Sequence, residues 1–239
     1  MMAKSLATTQ TPSVPFLRER QIEAEAQLLL DEYAQSGKWD GSAPIPVEDI
    51  LELHLGLAFG IEDLRALLSV DDVLGAIWFT EQMVRVDVRL DPSTHPQMLG
   101  RYRFTLCHET GHWRLHRQHY REDPGQGRLF DGRGQPAFVC RSSSKPPAEW
   151  QADYFGGCVL MPRETLRSAW QSWRGNFDPV AVQQLPAANI HGDRKLNENV
   201  ALERFCRPLA EQFEASAEAM RIRLEHLGFL LREIPNTLF

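Results

Sequence analysis

The segment His108-Glu109-Thr110-Gly111-His112 has the residue types and the spacing of a metal-dependent hydrolase. On a helix, residues i and i+4 lie on one face, so both imidazoles could reach one metal ion. Glu109 would lie beside that face, where it could take a proton from a metal-activated water and return it to the leaving amine. The motif therefore predicts a metallopeptidase with Glu109 as general base. Two histidines on an ordinary helix are the alternative interpretation.

A third protein ligand is expected, because catalytic zinc sites have three protein ligands and one open position. Glu149 begins a second helical segment and is the best candidate. Asp153, on the same helical face, could accept a hydrogen bond from the free ring N–H of a ligand histidine. The alternative is that both are solvated carboxylates. His116 competes for the third position, but a continuing helix carries it a full turn beyond His112, so we expect it to be structural.

The first half of the chain contains elements that could support such a site. Apolar residues at helical spacing predict a helix from about residue 16 to 36. A short helix is expected over 46–55. Residues 75–79 and 83–90 predict a β-hairpin, because the second segment alternates between polar and apolar residues. The apolar residues that define its buried face are Val84, Val86, Val88 and Leu90.

The second half places both site segments on helices. A helix over about 97–115 carries the two histidines, and a helix over 149–160 carries Glu149. The connection 117–148 is polar and has one strand-like patch, 137–141, which could lie at a sheet edge and bind an extended substrate. Together these elements predict an α+β fold with a small antiparallel or mixed sheet.

Composition excludes several other classes of protein. The 239 residues are 43% hydrophobic and 24% charged, and the net charge of -6 argues against a general binder of nucleic acid or anionic membranes. No apolar run is as long as a membrane span, and the N-terminal residues have no apolar signal segment, so we expect a cytoplasmic protein. The four cysteines form no C-x-x-C pair and are expected to be reduced apolar fillers.

Two blocks, RFTLCHETGHWRLH and EWQADYFGGCVLMP, resemble the ImmA/IrrE family of zincin-like metallopeptidases. Gly156 and Val159 stand where alanine and leucine are usual in the second block. Weaker similarity covers most of the chain. We divide it into a disordered tail (1–15), a zincin-like metallopeptidase core (16–170) and a helical C-terminal region (171–239). The positions that match the family pattern of the second block are Glu149, Ala152, Asp153, Phe155, Leu160, Met161 and Pro162.

The resemblance implies a site-specific endopeptidase that acts inside a bacterial cell on a helix-turn-helix repressor and so relieves repression of mobile-element or stress-response genes. It implies a metal held by His108, His112 and Glu149, with zinc as the default and manganese as an alternative. Two further classes stay open. One is a non-catalytic regulatory binding module that retains a metal site, which the intact Glu109 argues against. The other is a transcription regulator.

The C-terminal stretch LAEQFEASAEAMRIRLEHLG resembles a helix-turn-helix, with short helices expected over 208–214 and 217–227. Glu214 stands where a turn glycine is usual. Neighbouring glutamates offset Arg221 and Arg223, so no basic face is expected for phosphates and no direct nucleic-acid contact is predicted. We expect a structural helical pair, and recognition of a protein partner stays open.

Overall fold

The computed structural model describes residues 14–120, 134–141, 146–186 and 194–233. All but the last two residues of the predicted tail 1–15 lie outside these ranges, so its disorder stays a prediction. The predicted division into core and C-terminal region also stays a prediction. None of the helices in the described ranges combines the length and apolarity needed to cross a bilayer.

Eight α-helices occur in the described residues. They are α1 (Glu19–Ala34), α2 (Val47–Asp49), α3 (Leu64–Leu68), α4 (Leu99–Leu115), α5 (Pro147–Leu160), α6 (Arg163–Arg174), α7 (Arg194–Gln212) and α8 (Ala217–His226). A π-helical turn, Ile50–His54, continues α2. Short 3-10 turns cover Val88–Leu90, Pro96–Met98, Arg117–His119 and Val182–Gln184.

The main sheet has four strands: β1 (Ala58–Glu62), β2 (Val73–Trp78), β3 (Met83–Asp87) and β4 (Phe138–Arg141). Their order is β1-β3-β2-β4, so β4 forms one edge. β1 runs parallel to β3, whereas β2 is antiparallel to both β3 and β4. Two short strands, β5 (Val180–Ala181) and β6 (Leu230–Leu231), form a separate parallel pair. The predicted mixed α+β class is confirmed.

The predicted hairpin is confirmed as β2 and β3, but its second strand is shorter than expected. β3 ends at Asp87, and the chain then turns into a 3-10 helix. Val88, predicted to be buried, is 44% exposed, whereas Asp87 is fully buried. The Asp87 carboxylate accepts hydrogen bonds from the backbone and side chain of Arg89, which stabilises the turn. Local capping therefore overrides the alternating pattern.

The sheet packs on both faces, which explains why its central strands are mostly apolar. Leu64 and Leu68 of α3 cover one face as part of a small cluster with Trp78. The other face packs into the main core, which α1, α4 and α5 complete. The spacing that predicted α1 is confirmed, because its buried residues are those of the predicted stripe: Ile22, Ala26, Leu29, Leu30 and Tyr33.

The C-terminal helices agree with the prediction except at the start of α7. α8 is close to its expected bounds, with Ser216 Oγ accepting a hydrogen bond from Ala219 N at 3.0 Å. α7 begins far earlier than residue 208, and Pro208 lies inside it. The predicted start was therefore too late, since the residues before Pro208 continue the helix. Glu214 takes the left-handed conformation in the turn, with φ 49.

Ion pairs connect the C-terminal helices to the rest of the fold. The Glu214 carboxylate lies 3.1 Å from Arg103 of α4, whose side chain is 7% exposed. Arg223 of α8 donates to the Met161 carbonyl at 3.0 Å and lies 2.6 Å from a Glu23 oxygen in α1. These contacts connect α4 to the turn before α8, and α8 to α1.

The contact between Glu23 and its two arginines gives a stability prediction. Arg163 and Arg223 each lie 2.6 Å from a Glu23 oxygen. Burial opposes ionisation of Glu23, but these hydrogen bonds outweigh burial and lower its pKa below the ordinary value of 4.5. Because the pKa is lower in the folded chain, the stabilisation is fully present above pH 4.5 and is lost as the pH falls through the folded value.

We expect Glu23→Gln to lower the free energy of unfolding by about 1–3 kcal/mol at pH 7, since Arg223 is left buried without its charged partner. Urea unfolding at pH 7 and at pH 3 measures this, with the exposed Glu19→Gln as control. The difference from wild type should shrink at the lower pH. A Glu23→Gln chain as stable as wild type at pH 7 would show that the ion pairs of Glu23 do not stabilise the fold.

Candidate metal centre

Helices α4 and α5 approach closely because small residues lie where they touch. A Cβ added at Gly111 would lie 3.1 Å from Ala152 Cα, and one added at Gly156 would lie 3.2 Å from His108 N. Larger side chains at these positions would separate the helices. The short distance lets side chains of α4 meet those from the first two turns of α5.

The predicted ligands His108, His112 and Glu149 come together at this contact. The two histidine Nε2 atoms are 3.1 Å apart. His108 Nε2 lies 3.2 Å from Glu149 Oε2, and His112 Nε2 lies 3.2 Å from Glu149 Oε1. A tetrahedral ion with bonds of about 2.0–2.1 Å needs ligand atoms separated by about 3.3 Å. All three residues are buried, at 1%, 0% and 7% exposure. The separations between the imidazole nitrogens and the carboxylate oxygens are thus close to those of a tetrahedral metal site.

Hydrogen bonds on the far side of each imidazole orient both rings toward the shared point. His108 Nδ1 lies 2.9 Å from Asp153 Oδ1, which can only accept if ionised, so this nitrogen donates. When His108 is neutral, its Nε2 presents a lone pair to the site. Asp153 therefore stands where the sequence predicted it. This contact fixes the tautomer that binds metal.

His116 orients the second ring. Its Nδ1 lies 2.9 Å from His112 Nδ1, and its Nε2 lies 3.1 Å from Gln151 Oε1. Gln151 in turn donates from Nε2 to the Pro15 carbonyl at 3.0 Å. Since the glutamine oxygen accepts, His116 donates from Nε2 and accepts at Nδ1, so His112 donates from Nδ1. His112 Nε2 is then unprotonated and presents a lone pair toward His108 Nε2, 3.1 Å away.

Sequence reasoning missed this positioning role. His116 was expected to be structural. Its ring contacts His112 and Gln151. Its spacing of four from His112 was the available signal. Gln151 was not singled out, although it lies between Glu149 and Asp153 in the same turns of α5. Phe138 was also missed, and it stacks on His112 with ring centroids 4.0 Å apart.

The protonation states of the ligands follow from burial and contact. Burial opposes ionisation of Glu149, but its contacts with His108 and His112 outweigh burial and lower its pKa to about 2. Burial lowers the pKa of His112 to about 3. For His108, burial favours the neutral ring, but contacts with Cys140, Asp153 and Glu149 outweigh it and raise the pKa. A metal therefore meets an ionised carboxylate and a neutral His112, and it displaces a proton from His108.

Glu109 lies beside the ligands without a hydrogen-bond partner among the described residues. It is fully buried, and neither carboxylate oxygen is paired. Burial raises its pKa to about 8, which the charge of Glu149 increases and that of His108 opposes. Gly75 of β2 makes room for it, because a Cβ there would lie 2.7 Å from Glu109 Oε1. An unpaired buried carboxylate is costly, so its position indicates a chemical role.

Cys140 of β4 lies at the same point. One ligand atom from each of His108, Cys140 and Glu149 falls within 4.8 Å of the others. Cys140 is buried, as predicted, but its place beside two metal ligands was not foreseen. Phe138 and Cys140 are the buried residues of β4, so they share one face, and this face of the strand looks onto the site.

We expect purified wild-type chain to hold about one zinc ion, and Glu149→Gln to lose it. Asp153→Asn and His116→Ala should keep the site but bind zinc about 10–100-fold more weakly, because the imidazoles lose their orientation. Mass spectrometry of metal content and competition with a zinc chelator measure these effects. The exposed Glu164→Gln is the matched control. Unchanged affinity in Asp153→Asn would exclude the orienting role.

Comparison with known proteins places this geometry in a family. The model of the IrrE N-terminal-like domain (Peptidase_M78) matches residues 88–225, more than half of the chain and including both helices that carry the ligands. No curated protein matches the chain.

Among solved structures, a Mycobacterium tuberculosis transcriptional regulator aligns with 16% identity and a TM-score of 0.45. The alignment covers 90% of this chain and 48% of that protein, so the chain spans about half of its length. The family match alone confirms the resemblance identified in the two sequence blocks. The chain belongs to the family of IrrE N-terminal-like domains.

Proposed function

We propose that the chain is a metal-dependent endopeptidase that hydrolyses a peptide bond in a protein substrate. The observation that carries this proposal is the meeting of His108, His112 and Glu149 beside an unpaired, buried Glu109. A site that only stabilised the fold would have no use for such a carboxylate. The Peptidase_M78 match supports a metallopeptidase-type enzyme.

The chain's own residues divide the work of hydrolysis. His108, His112 and Glu149 would hold the ion, which supplies a Lewis acid that polarises the scissile carbonyl and activates water. Glu109 takes the proton of the attacking water and later gives it to the departing nitrogen. The positive charge of the ion would favour the ionised form of Glu109, which is the form that takes this proton. Asp153 keeps His108 in the tautomer that binds metal.

Zinc fits the ligand set better than manganese. Two imidazole nitrogens and one carboxylate in a buried site are typical of catalytic zinc, whereas manganese favours octahedral, oxygen-rich sites. The separations of 3.1 and 3.2 Å suit the short bonds of a tetrahedral ion. We therefore propose zinc as the resident metal and keep manganese as the alternative.

The expected substrate is a helix-turn-helix transcriptional repressor, which would place the activity in the cytoplasm. This follows from the family resemblance, and the fold offers a place for an extended segment. β4 is an edge strand whose buried face looks onto the site. We propose that a substrate segment pairs with β4 and so passes the metal.

Prolines placed singly across residues 137–141 should reduce cleavage, because proline cannot donate the hydrogen bonds of strand pairing. Circular dichroism would verify that each variant remains folded. Cleavage that survives every proline in folded protein would exclude pairing at β4.

The C-terminal helices are proposed to support the core rather than read DNA. Arg221 and Arg223 are only 6% and 3% exposed. Arg221 pairs with Glu203 and Glu225, and Arg223 pairs with Glu23. Their charges are thus neutralised within the fold. Phosphate contacts would have to break these pairs.

One observation favours a second candidate, a regulatory binding module with a structural metal. Cys140 could add a fourth protein ligand, and structural zinc sites are closed by four. Activity decides between the two candidates.

We expect Glu109→Gln to keep its zinc and lose about 10²–10⁴-fold in hydrolysis, because the glutamine amide cannot accept and return the proton. Wild type and variant are each incubated with the soluble proteome of cells lacking the gene, and new protein N-termini are labelled and identified. New termini should appear in a helix-turn-helix protein with wild type and with the control Glu164→Gln. Equal cleavage by Glu109→Gln, or none by zinc-loaded wild type, would overturn the proposal.

A further inference from the structure

Cys140 differs from the other cysteines in its surroundings. Cys107, Cys158 and Cys206 are members of the main apolar core, whereas Cys140 belongs to neither of the apolar clusters in the described residues. Cys206 contacts two backbone carbonyls, at 3.6 and 3.7 Å. The polar neighbours of Cys140 are instead His108 and Glu149. Its thiol is therefore placed among metal ligands, not among fillers.

We propose that Cys140 Sγ is a fourth ligand of the metal and that this closed form is the resting state of the peptidase. The inference rests on the proposed function, since it concerns access to the same ion. A tetrahedral ion bound by two nitrogens, one oxygen and one sulfur needs about 3.5 Å between sulfur and its neighbours, given a metal–sulfur bond of about 2.3 Å. Cys140 Sγ lies within 4.8 Å of a ligand atom of His108 and of Glu149, so a movement of roughly an ångström would bring the thiol to the required separation from these two residues.

The strand that carries Cys140 has the freedom that such a movement needs. The pairing of β4 with β2 is irregular between Val73 and Gly75, the residues opposite Arg141 and Cys140. Irregular pairing of this kind redirects a side chain and is frequent beside active sites. β4 also lies at the edge of the sheet, so one of its sides is not held by a further strand of the described sheet.

Ligation by Cys140 has a simple proton balance. The S–H bond breaks, the metal–sulfur bond forms, and the proton passes to solvent, as is general for thiol ligands. No oxidant or reductant is involved. Four protein ligands leave no position for water or for the scissile carbonyl, so hydrolysis requires release of the thiolate and return of a proton to sulfur.

A substrate strand provides a reason for that release. If the segment pairs with the free edge of β4, its hydrogen bonds would favour a regular strand and so would move Cys140 away from the metal. The closed form would then be favoured in the free protein and the open form in the substrate complex. The free peptidase would then stay inactive toward other proteins, because Cys140 would fill the open position of the metal.

Cobalt substitution tests the bond directly. Cobalt-loaded wild type should show the near-ultraviolet charge-transfer absorption of a cobalt–thiolate bond. Cys140→Ser and Cys140→Ala should bind cobalt without this absorption, and Cys206→Ser, a buried cysteine of α7, should keep it. Using both a polar and an apolar replacement guards against a variant that fails to fold. Bound cobalt with no thiolate absorption in wild type would overturn the proposal while leaving the proposed function intact.

Binding of acetohydroxamate, a small bidentate metal ligand, tests whether the site is closed. It should bind cobalt-loaded Cys140→Ala at least about tenfold more tightly than wild type, because nine-tenths occupancy of a closed form weakens apparent affinity tenfold. The change in the visible absorption of cobalt measures binding. Equal affinity in wild type and variant would exclude closure. Failure of every variant and of wild type to bind any cobalt or zinc would overturn both this inference and the proposed function.

Discussion

The close approach of α4 and α5 is the constraint on which the rest of the site depends. Without side chains at Gly111 and Gly156, the two helices come near enough for Glu149 to contact both His108 and His112. Helix–helix contacts with larger residues hold the axes about 8–10 Å apart, which would draw the carboxylate away from the imidazoles. The small residues at the contact between α4 and α5 therefore also set the distance between Glu149 and the two histidines.

Burying so many polar groups is costly, and the fold offsets that cost locally. Each imidazole is hydrogen-bonded on its far side, through Asp153 for one ring and through His116 for the other. Ion pairs at the periphery hold the helices that carry these groups. Arg103 connects α4 to the α7–α8 turn at Glu214, and Arg223 connects α8 to α1. Rigid support of this kind keeps ligand atoms in place without the ion.

Features encoded locally were predictable from the sequence. The i and i+4 histidines, the apolar stripe of α1 and the hairpin of β2 and β3 each depend on residues close together in the chain. β1 was missed because neither of its faces is consistently buried, so it lacks the alternation that marks a strand. α7 was predicted too short, because the helix runs from Arg194 and Pro208 lies inside it. The position of Cys140 beside the site could not be predicted, since it depends on pairing between β2 and β4, which are distant in sequence.

The same metal ligands can serve a closed structural site or an open catalytic one, and the difference lies in what fills the fourth position. Glu109 belongs with the open form, because a buried carboxylate is tolerated best where it meets a water or a substrate. Cys140 belongs with the closed form, since a thiolate is a strong zinc ligand. Both residues lie beside one point and come from different elements, a rigid helix and an edge strand. Under the proposed closure, a movement of the strand would exchange one state for the other, while α4 and α5 would hold the metal in place.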